Sequence, residues 1–220
     1  MSIRENILKI KKDIPQTVKL VAVSKTKPVE SIQEAYNSGH KIFGENRVQE
    51  LVDKFNKLPK DIEWHFIGHL QTNKVKFIVP IVSLIQSIDS LKLLKEVNKE
   101  AEKNNKVTDC LLEMYIANEE SKFGLDTEEA FAILNSHEII KMENIRICGL
   151  MGMATFTDNM DIVRNEFKNL KLYFDLIKKT FFKEKSYFKD ISMGMSGDYN
   201  IAIEEGSTMI RIGTSIFEKR

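Results

Sequence analysis

Short runs of β-branched and aromatic residues alternate with longer amphipathic runs from one end of the chain to the other. The short runs have the length and composition of buried strands, and turn-forming residues separate them from the segments that follow. We predict eight strands, at residues 18–25, 41–46, 63–68, 84–88, 109–116, 145–150, a seventh that leads into Ser192, and 209–213.

The longer runs predict helices between these strands. The clearest helix follows the fourth strand and repeats its apolar residues at three- and four-residue steps, at Leu91, Leu94, Val97 and Ala101. Asp126 and Glu129 have the spacing of a capping box, and residues 162–182 predict one long helix. We expect an extra helix before the first strand, and Pro28 suits the first turn of the helix after that strand.

The alternation of strands with helices predicts an α/β fold with a parallel sheet and helical crossovers. About eight such units in 220 residues favour a closed (β/α)8 TIM barrel at the small end of its size range. An open, doubly wound sheet is the alternative. Because no linker, low-complexity tract or block of like charges divides the chain, we expect one domain over residues 1–220.

Charge and cysteine content exclude several classes of function. The 33 basic and 32 acidic residues leave a formal net charge of +1, which gives no reason to expect a nucleic acid or an anionic membrane as partner. The charged amino terminus is unlike a signal peptide, and we expect a cytoplasmic protein. Cys110 and Cys148 form no CxxC or Cys–His pattern, so we expect two buried, reduced thiols and no metal site.

Functional groups of such barrels lie at the carboxyl ends of the strands, and the first strand ends in Lys25. With a period of two, Lys25 shares the inner side of the barrel with Val21 and Val23. A semi-enclosed pocket favours the neutral amine, which can form a Schiff base with an aldehyde. A solvated lysine is the alternative, and Lys27 could carry the same chemistry.

A second signal lies near the end of the chain. Residues 193–198 form a glycine-containing turn between a strand and a helix, and Gly213 with Thr214 closes the eighth strand. Barrels of this type often bind phosphate with the loops after strands seven and eight. With Lys25 across the barrel from these turns, the ligand would be an aldehyde that carries a phosphate. Each turn alone could also be an ordinary loop.

Other polar residues give weaker signals. Four glutamates could supply paired carboxyl groups for acid–base chemistry, but no spacing requires it: Glu45, Glu113, Glu119 and Glu120. His65 and His69 lie four residues apart across a strand end, which is not the spacing of a helical metal pair.

Several segments, in order along nearly the whole chain, resemble the pyridoxal phosphate homeostasis protein family. The segment around Lys25, Val-Ala-Val-Ser-Lys-Thr-Lys-Pro, resembles the lysine motif of that family. The other matching segments are residues 43–50, 64–74, 119–125, 149–151, 192–196 and 210–214. The family resembles the barrel domain of alanine racemase without its second, β domain, so the same fold is implied here.

The resemblance implies a site for pyridoxal 5′-phosphate. Lys25 would hold the cofactor as a Schiff base, Asn46 would lie near the 3-hydroxyl group of its ring, and Arg211 would face the pyridine nitrogen. The phosphate would be held by Ser196, Gly213 and Thr214.

The resemblance also leaves positions without a role. By their place in the motifs, His65 and Met195 line the same region, but the resemblance assigns neither of them a contact with the cofactor. The departures from the family, at Gly197–Asp198 and Phe217–Glu218, are expected to be peripheral.

The implied function is that of an intracellular carrier or buffer of pyridoxal phosphate. An arginine at the ring nitrogen weakens the cofactor as an electron sink, and the chain ends at Arg220 soon after the eighth strand, where we expect no second domain. We therefore expect no robust turnover, a monomer, and PLP-dependent apoenzymes as possible acceptors. The alternatives are a small PLP-dependent racemase, a Schiff-base aldolase, or a barrel with a partner-binding role. The roles of Lys27 and Lys122 stay open.

Overall fold

A computed structural model describes residues 1–117 and 124–217 of the chain. The strands are β1 Lys19–Val23, β2 Ile42–Glu45, β3 Glu63–Phe66, β4 Leu84–Ile88, β5 Thr108–Met114, β6 Ile145–Gly152, β7 Asp190–Ser192 and β8 Met209–Ile212. Each strand pairs in parallel with the next, and β8 pairs with β1. The sheet is therefore a closed barrel, which confirms the (β/α)8 prediction and excludes the open sheet.

Helices cover the outside of this barrel. They are α1 Ile3–Asp13, α2 Val29–Asn37, α3 Val48–Lys57, α4 Val75–Ile78, α5 Leu91–Lys103, α6 Thr127–Leu134, α7 Met160–Phe181, α8 Tyr199–Glu204 and α9 Thr214–Phe217. Helix α1 is the extra helix before the first strand, and the capping box of Asp126 and Glu129 opens α6 as predicted. Pro28 is the N-cap of α2, one residue before the predicted first turn.

The boundaries of several strands differ from the sequence pattern at their carboxyl ends. Strands β1, β3 and β5 end two residues earlier than predicted and β2 ends one residue earlier, whereas β6 continues to Gly152. Beyond the last ladder pairs of β1, β2 and β3, the chain continues through Lys25, Asn46, Ile67 and Gly68, which line a cavity at this end of the barrel. The sequence pattern therefore does not mark where strand pairing stops.

The core has an inner and an outer layer. The inner layer fills the barrel with Val21, Leu84, Leu111, Cys148, Met151 and Met209. The outer layer lies between strands and helices and includes Leu20 and Ala22, which flank Val21. This alternation is the period of two expected of strands buried on both faces.

Both cysteines are buried and free, as predicted. Burial raises the pKa of the Cys148 thiol to about 12, so this thiol is unreactive at neutral pH. Among the helices of the described residues, none is both long and apolar enough to span a membrane.

Candidate functional site

A cavity of about 630 Å³ lies at the carboxyl ends of the strands. It is lined by every residue that the sequence predicted for the site, namely Lys25, Asn46, Ser196, Arg211, Gly213 and Thr214. These residues belong to, or follow, β1, β2, β7 and β8. The structure therefore brings the predicted residues together, while the role of each stays a prediction. Over residues 1–117 and 124–217, no cluster of three or more His, Cys, Asp and Glu side chains could hold a metal ion.

Lys25 is the residue that follows β1 into the cavity. Val21 belongs to the inner core, and Val23 and Lys25 both line the cavity, as the period of two predicts. Lys25 is exposed, however, and not semi-enclosed as expected. Within the described part of the chain it has no hydrogen-bond or ion-pair partner. Its amine is therefore accessible from the cavity.

A buried ion pair lies behind the turn that carries Lys25. The Nζ atom of Lys54 lies 2.7 Å from Oε1 of the fully buried Glu45. The same ammonium group donates a hydrogen bond of 2.8 Å to the Ser24 carbonyl oxygen. The Ser24 hydroxyl donates to Glu45 Oε1 over 2.6 Å. Burial raises the pKa of Glu45, and the hydrogen bonds from Lys54 and Ser24 oppose that rise.

The residue after Lys25 is fixed from the same side. Thr26 has a φ of 63°, a left-handed conformation that is unfavourable for a β-branched residue. Its backbone N–H donates a hydrogen bond of 2.7 Å to Oε2 of Glu50 on α3. Glu50 Oε2 also lies 3.4 Å from the Lys54 ammonium group. Both neighbours of Lys25 are thus held by α3 and β2, which aims the lysine at the cavity.

Arg211 is a fixed cation on the cavity wall. Its side chain is 5% exposed, and Nη1 donates to the Ser192 carbonyl oxygen (2.8 Å) and hydroxyl oxygen (2.7 Å). Nη2 donates to the Gly152 carbonyl oxygen over 2.9 Å. Burial lowers the pKa of Arg211 to about 10, so the guanidinium keeps its charge at neutral pH.

A buried hydrogen-bond chain continues from Arg211 into the barrel. The Ser192 hydroxyl donates to Gln86 Oε1 (2.6 Å), and Gln86 Nε2 lies 2.9 Å from His65 Nδ1. Burial lowers the pKa of His65 to about 3, so its ring is neutral. His65 does not line the cavity, and the prediction that it does is wrong because it faces inward one layer below.

The turn after β7 offers free donors to the cavity. The Asp198 carboxylate accepts a 2.5 Å hydrogen bond from the Met195 N–H, and the Asp198 N–H donates back to the Met195 carbonyl. The amides of Ser196 and Gly197 have no such partner among the described residues. Met195, Gly197 and Asp198 all line the cavity. We expect Gly197–Asp198 to be peripheral from the sequence, and this expectation is wrong. Both residues line the cavity, and the Asp198 side chain holds the turn through the Met195 amide.

The turn after β8 lies beside Lys25 and not across the barrel from it. Strand β8 pairs with β1 through Ala22 and Ile212, so the two strand ends are neighbours. A Cβ atom on Gly213 would lie 3.2 Å from the Val23 carbonyl oxygen. The amides of Thr214 and Ser215 donate to no described residue. This corrects the expected geometry and shortens the span that a ligand must bridge.

Asn46 carries an unpaired atom at the cavity. Its Oδ1 is buried and has no hydrogen-bond partner in the part of the chain that the structure describes. A Cβ atom on Gly68 would approach Asn46 Cβ to 2.5 Å, so only glycine fits beside this amide. A buried acceptor without a partner is costly, and a ligand hydroxyl group would satisfy it.

Sequence reasoning gave too little weight to two parts of the cavity. Glu113 on β5 was one of four undistinguished glutamates, yet it lines the cavity with 4% exposure. The segment 153–158 after β6 lines it too, and the strand-end rule applied to β6 would have found it. Glu119, Glu120, Lys122 and Glu218 lie outside the described residues.

Glu113 has an unusual electrostatic environment. Burial is the largest effect and raises its pKa from an ordinary 4.5 to about 7. The charge of Asp89 acts in the same direction, and the charge of Arg211 opposes it. Glu113 is therefore partly protonated at neutral pH.

The fold and the cavity define a (β/α)8-barrel protein with a polar site at the carboxyl end of its strands. Residues 1–220 match the family described as "Alanine racemase, N-terminal domain". An alanine racemase from E. faecalis superimposes with a TM-score of 0.74 at 14% identity, over 99% of this chain and 58% of that chain. At that identity the likeness shows the fold alone.

More similar relatives define the family within that class. The pyridoxal phosphate homeostasis protein of Aquifex aeolicus (strain VF5) is 42% identical over 92% of this chain and 87% of its own length. The one of Homo sapiens is 36% identical over 99% and 82%. PipY of Synechococcus elongatus PCC7942, solved with PLP bound, has a TM-score of 0.88 at 30% identity, over 98% of this chain and 100% of that chain. The chain belongs to the pyridoxal phosphate homeostasis protein family.

The ion pair behind Lys25 predicts a large stability effect. Replacing Lys54 with Met leaves Glu45 buried without its counter-charge, which should lower the free energy of unfolding by about 3 kcal/mol. Adding Glu45→Gln to Lys54→Met should recover part of that loss. Urea unfolding measures both, with Lys57→Met on the exposed face of α3 as control. Equal effects of Lys54→Met and Lys57→Met would contradict the assignment.

The pKa of Glu113 predicts a pH-dependent stability. Between pH 4.5 and 7 the folded state binds more protons at this group than the unfolded state, so wild-type stability decreases as pH rises through this range. Glu113→Gln removes that loss. Between pH 4.5 and pH 8, the free energy of unfolding of the variant should therefore rise by about 3 kcal/mol relative to that of wild type. Urea unfolding at both pH values tests this, and a difference that does not change with pH would refute it.

Proposed function

We propose that the chain, as a single barrel domain, binds pyridoxal 5′-phosphate in this cavity and acts in its homeostasis as a carrier or buffer. One observation carries the proposal, which is the convergence of an accessible amine, an unpaired amide oxygen and unpaired backbone amides on one cavity. Family membership and the PLP-bound PipY structure support it.

The two turns and Lys25 fit the two ends of this cofactor. Pyridoxal phosphate supplies an aldehyde, to which a primary amine can bond covalently, and a phosphate group. Lys25 supplies the amine. The phosphate oxygens would accept from the amides after β7 and β8 and from the hydroxyl groups of Ser196 and Thr214, and Gly213 would allow close approach.

Asn46 and Arg211 fit the ring. The Oδ1 atom of Asn46, unpaired among the described residues, would accept a hydrogen bond from the 3-hydroxyl group. The Arg211 guanidinium is held by three hydrogen bonds and would face the pyridine nitrogen. Since it stays charged at neutral pH, it disfavours a second positive charge on the ring.

The same cation supports a role without robust turnover. Enzymes that use this cofactor as an electron sink commonly hold the pyridine nitrogen protonated with an acidic partner, whereas the group proposed here is Arg211. The relatives carry the name of homeostasis proteins and not of enzymes. The protein would act as a monomer and hand the cofactor to PLP-dependent apoenzymes. A small PLP-dependent racemase is the second candidate, favoured by the racemase-like fold.

Loss of the Lys25 amine should remove covalent binding first. We expect Lys25→Ala to lose the visible absorption band of the protein incubated with pyridoxal phosphate, while dialysis still detects weak binding through the phosphate site. Lys27→Ala is the matched control and should keep the band, because the Lys27 ammonium group is directed to the Phe217 carbonyl oxygen, 3.4 Å from its Nζ atom. If Lys25→Ala keeps the band and Lys27→Ala loses it, the assignment is wrong.

The absence of robust turnover can be tested with amino acids. The purified, PLP-loaded protein should racemise alanine and other amino acids no faster than the same sample after heat inactivation, because the fixed Arg211 cation weakens the electron sink. Chiral chromatography measures the products. Rapid, saturable racemisation would establish the second candidate instead.

A further inference from the structure

Glu113 is a cavity residue that the proposed function does not use. It lies on β5 two residues after Leu111 of the inner core, so its side chain points into the barrel. The side chain is 4% exposed and lines the cavity. Within the described residues its carboxyl group has no hydrogen-bond or ion-pair partner. Buried polar groups are nearly always paired, so this one is suited to a ligand.

The charges around Glu113 decide which protonation state the ligand meets. Asp89 follows β4 on one side, and Arg211 stands on β8. On the other side, β6 presents Met151 and Gly152, which carry no charge. The remaining titratable groups on the cavity wall are Lys25, His69, Asp158 and Asp198. With a pKa near 7, a neutral carboxylic acid is substantially populated at neutral pH and can donate through its O–H.

We propose that the neutral carboxyl group of Glu113 donates a hydrogen bond to the ring nitrogen of bound pyridoxal phosphate, and that its ionisation loosens the hold of the site on this cofactor. This inference rests on the proposed function, which places the ring nitrogen at Arg211. Arg211, whose Nη1 and Nη2 atoms already donate to Ser192 and Gly152, would act on the ring nitrogen through its charge and keep it unprotonated. The single lone pair of the nitrogen would then accept from the Glu113 O–H.

Ionisation of Glu113 reverses the interaction. A carboxylate has no proton to donate, and its negative charge faces the lone pair of the nitrogen. The site thus holds pyridoxal phosphate more tightly below neutral pH than above it. For a carrier, this couples retention of the cofactor to local pH.

The test compares dissociation constants for pyridoxal phosphate at pH 6, 7 and 8. Wild type is measured beside Glu113→Gln, Glu113→Leu and the control Glu100→Gln. Glu100 is also buried, but its carboxyl group pairs with Lys103 on α5 outside the cavity. From pH 6 to pH 8, the ratio of the wild-type Kd to the Glu113→Gln Kd should rise about tenfold, the equivalent of about 1.4 kcal/mol. The ratio removes the pH dependence that both proteins share.

The two substitutions at Glu113 separate donor from charge. Glutamine keeps an N–H donor and should bind tightly at each pH, whereas leucine lacks one and should bind more weakly at each pH. Glu100→Gln should follow wild type. A ratio of wild type to Glu113→Gln that stays constant with pH overturns this inference and leaves the proposed function standing. If wild type binds pyridoxal phosphate at none of the three pH values, both this inference and the proposed function are overturned.

Discussion

The pairing of β8 with β1 is the constraint on which the site depends. Closure of a parallel barrel brings all strand carboxyl ends to one rim, and it joins residues that are almost two hundred positions apart in the chain. The Lys25 turn and the Gly213–Thr214 turn become neighbours only through this ladder. Because both turns follow strands of fixed register, the distance between the backbones of the two turns is set by the ladder.

Polar contacts around the site fix the residues that barrel closure brings together. Lys54 and Glu50 hold the residues on either side of Lys25, and Ser192 holds Arg211. Lys54 and Ser24 are buried, as are Ser192 and Arg211, so the contacts within these two pairs form where water competes little, whereas the contact between Glu50 and Thr26 is exposed. Burial also leaves Asn46 Oδ1 without a hydrogen-bond partner among the described residues, and the Glu113 carboxyl group lines the cavity with no partner in that part of the chain. The arrangement that preorganises the site for a polar ligand therefore also carries the free-energy cost of buried groups without partners.

The sequence predicted the fold because strand and helix periods repeat clearly, and it predicted the facing of Lys25 because strands alternate their side chains. It could not predict how far along the barrel axis an inward-facing side chain lies from the cavity. His65 faces inward like a site residue but lies one layer too low, while Glu113 reaches the cavity from a strand whose glutamate had no distinguishing spacing. Exposure of Lys25 depends on how far the chain continues beyond the last ladder pair, which hydrophobicity does not encode. The shape of the turn at Asp198 depends on a hydrogen bond between its side chain and the Met195 amide.

The attachment of the cofactor at Lys25 is tested most directly by borohydride reduction of the native protein with pyridoxal phosphate, followed by mass-spectrometric peptide mapping. The proposed site predicts one modified residue, Lys25, at close to one cofactor per chain. A cofactor fixed on another lysine, with Lys25 unmodified, would contradict it.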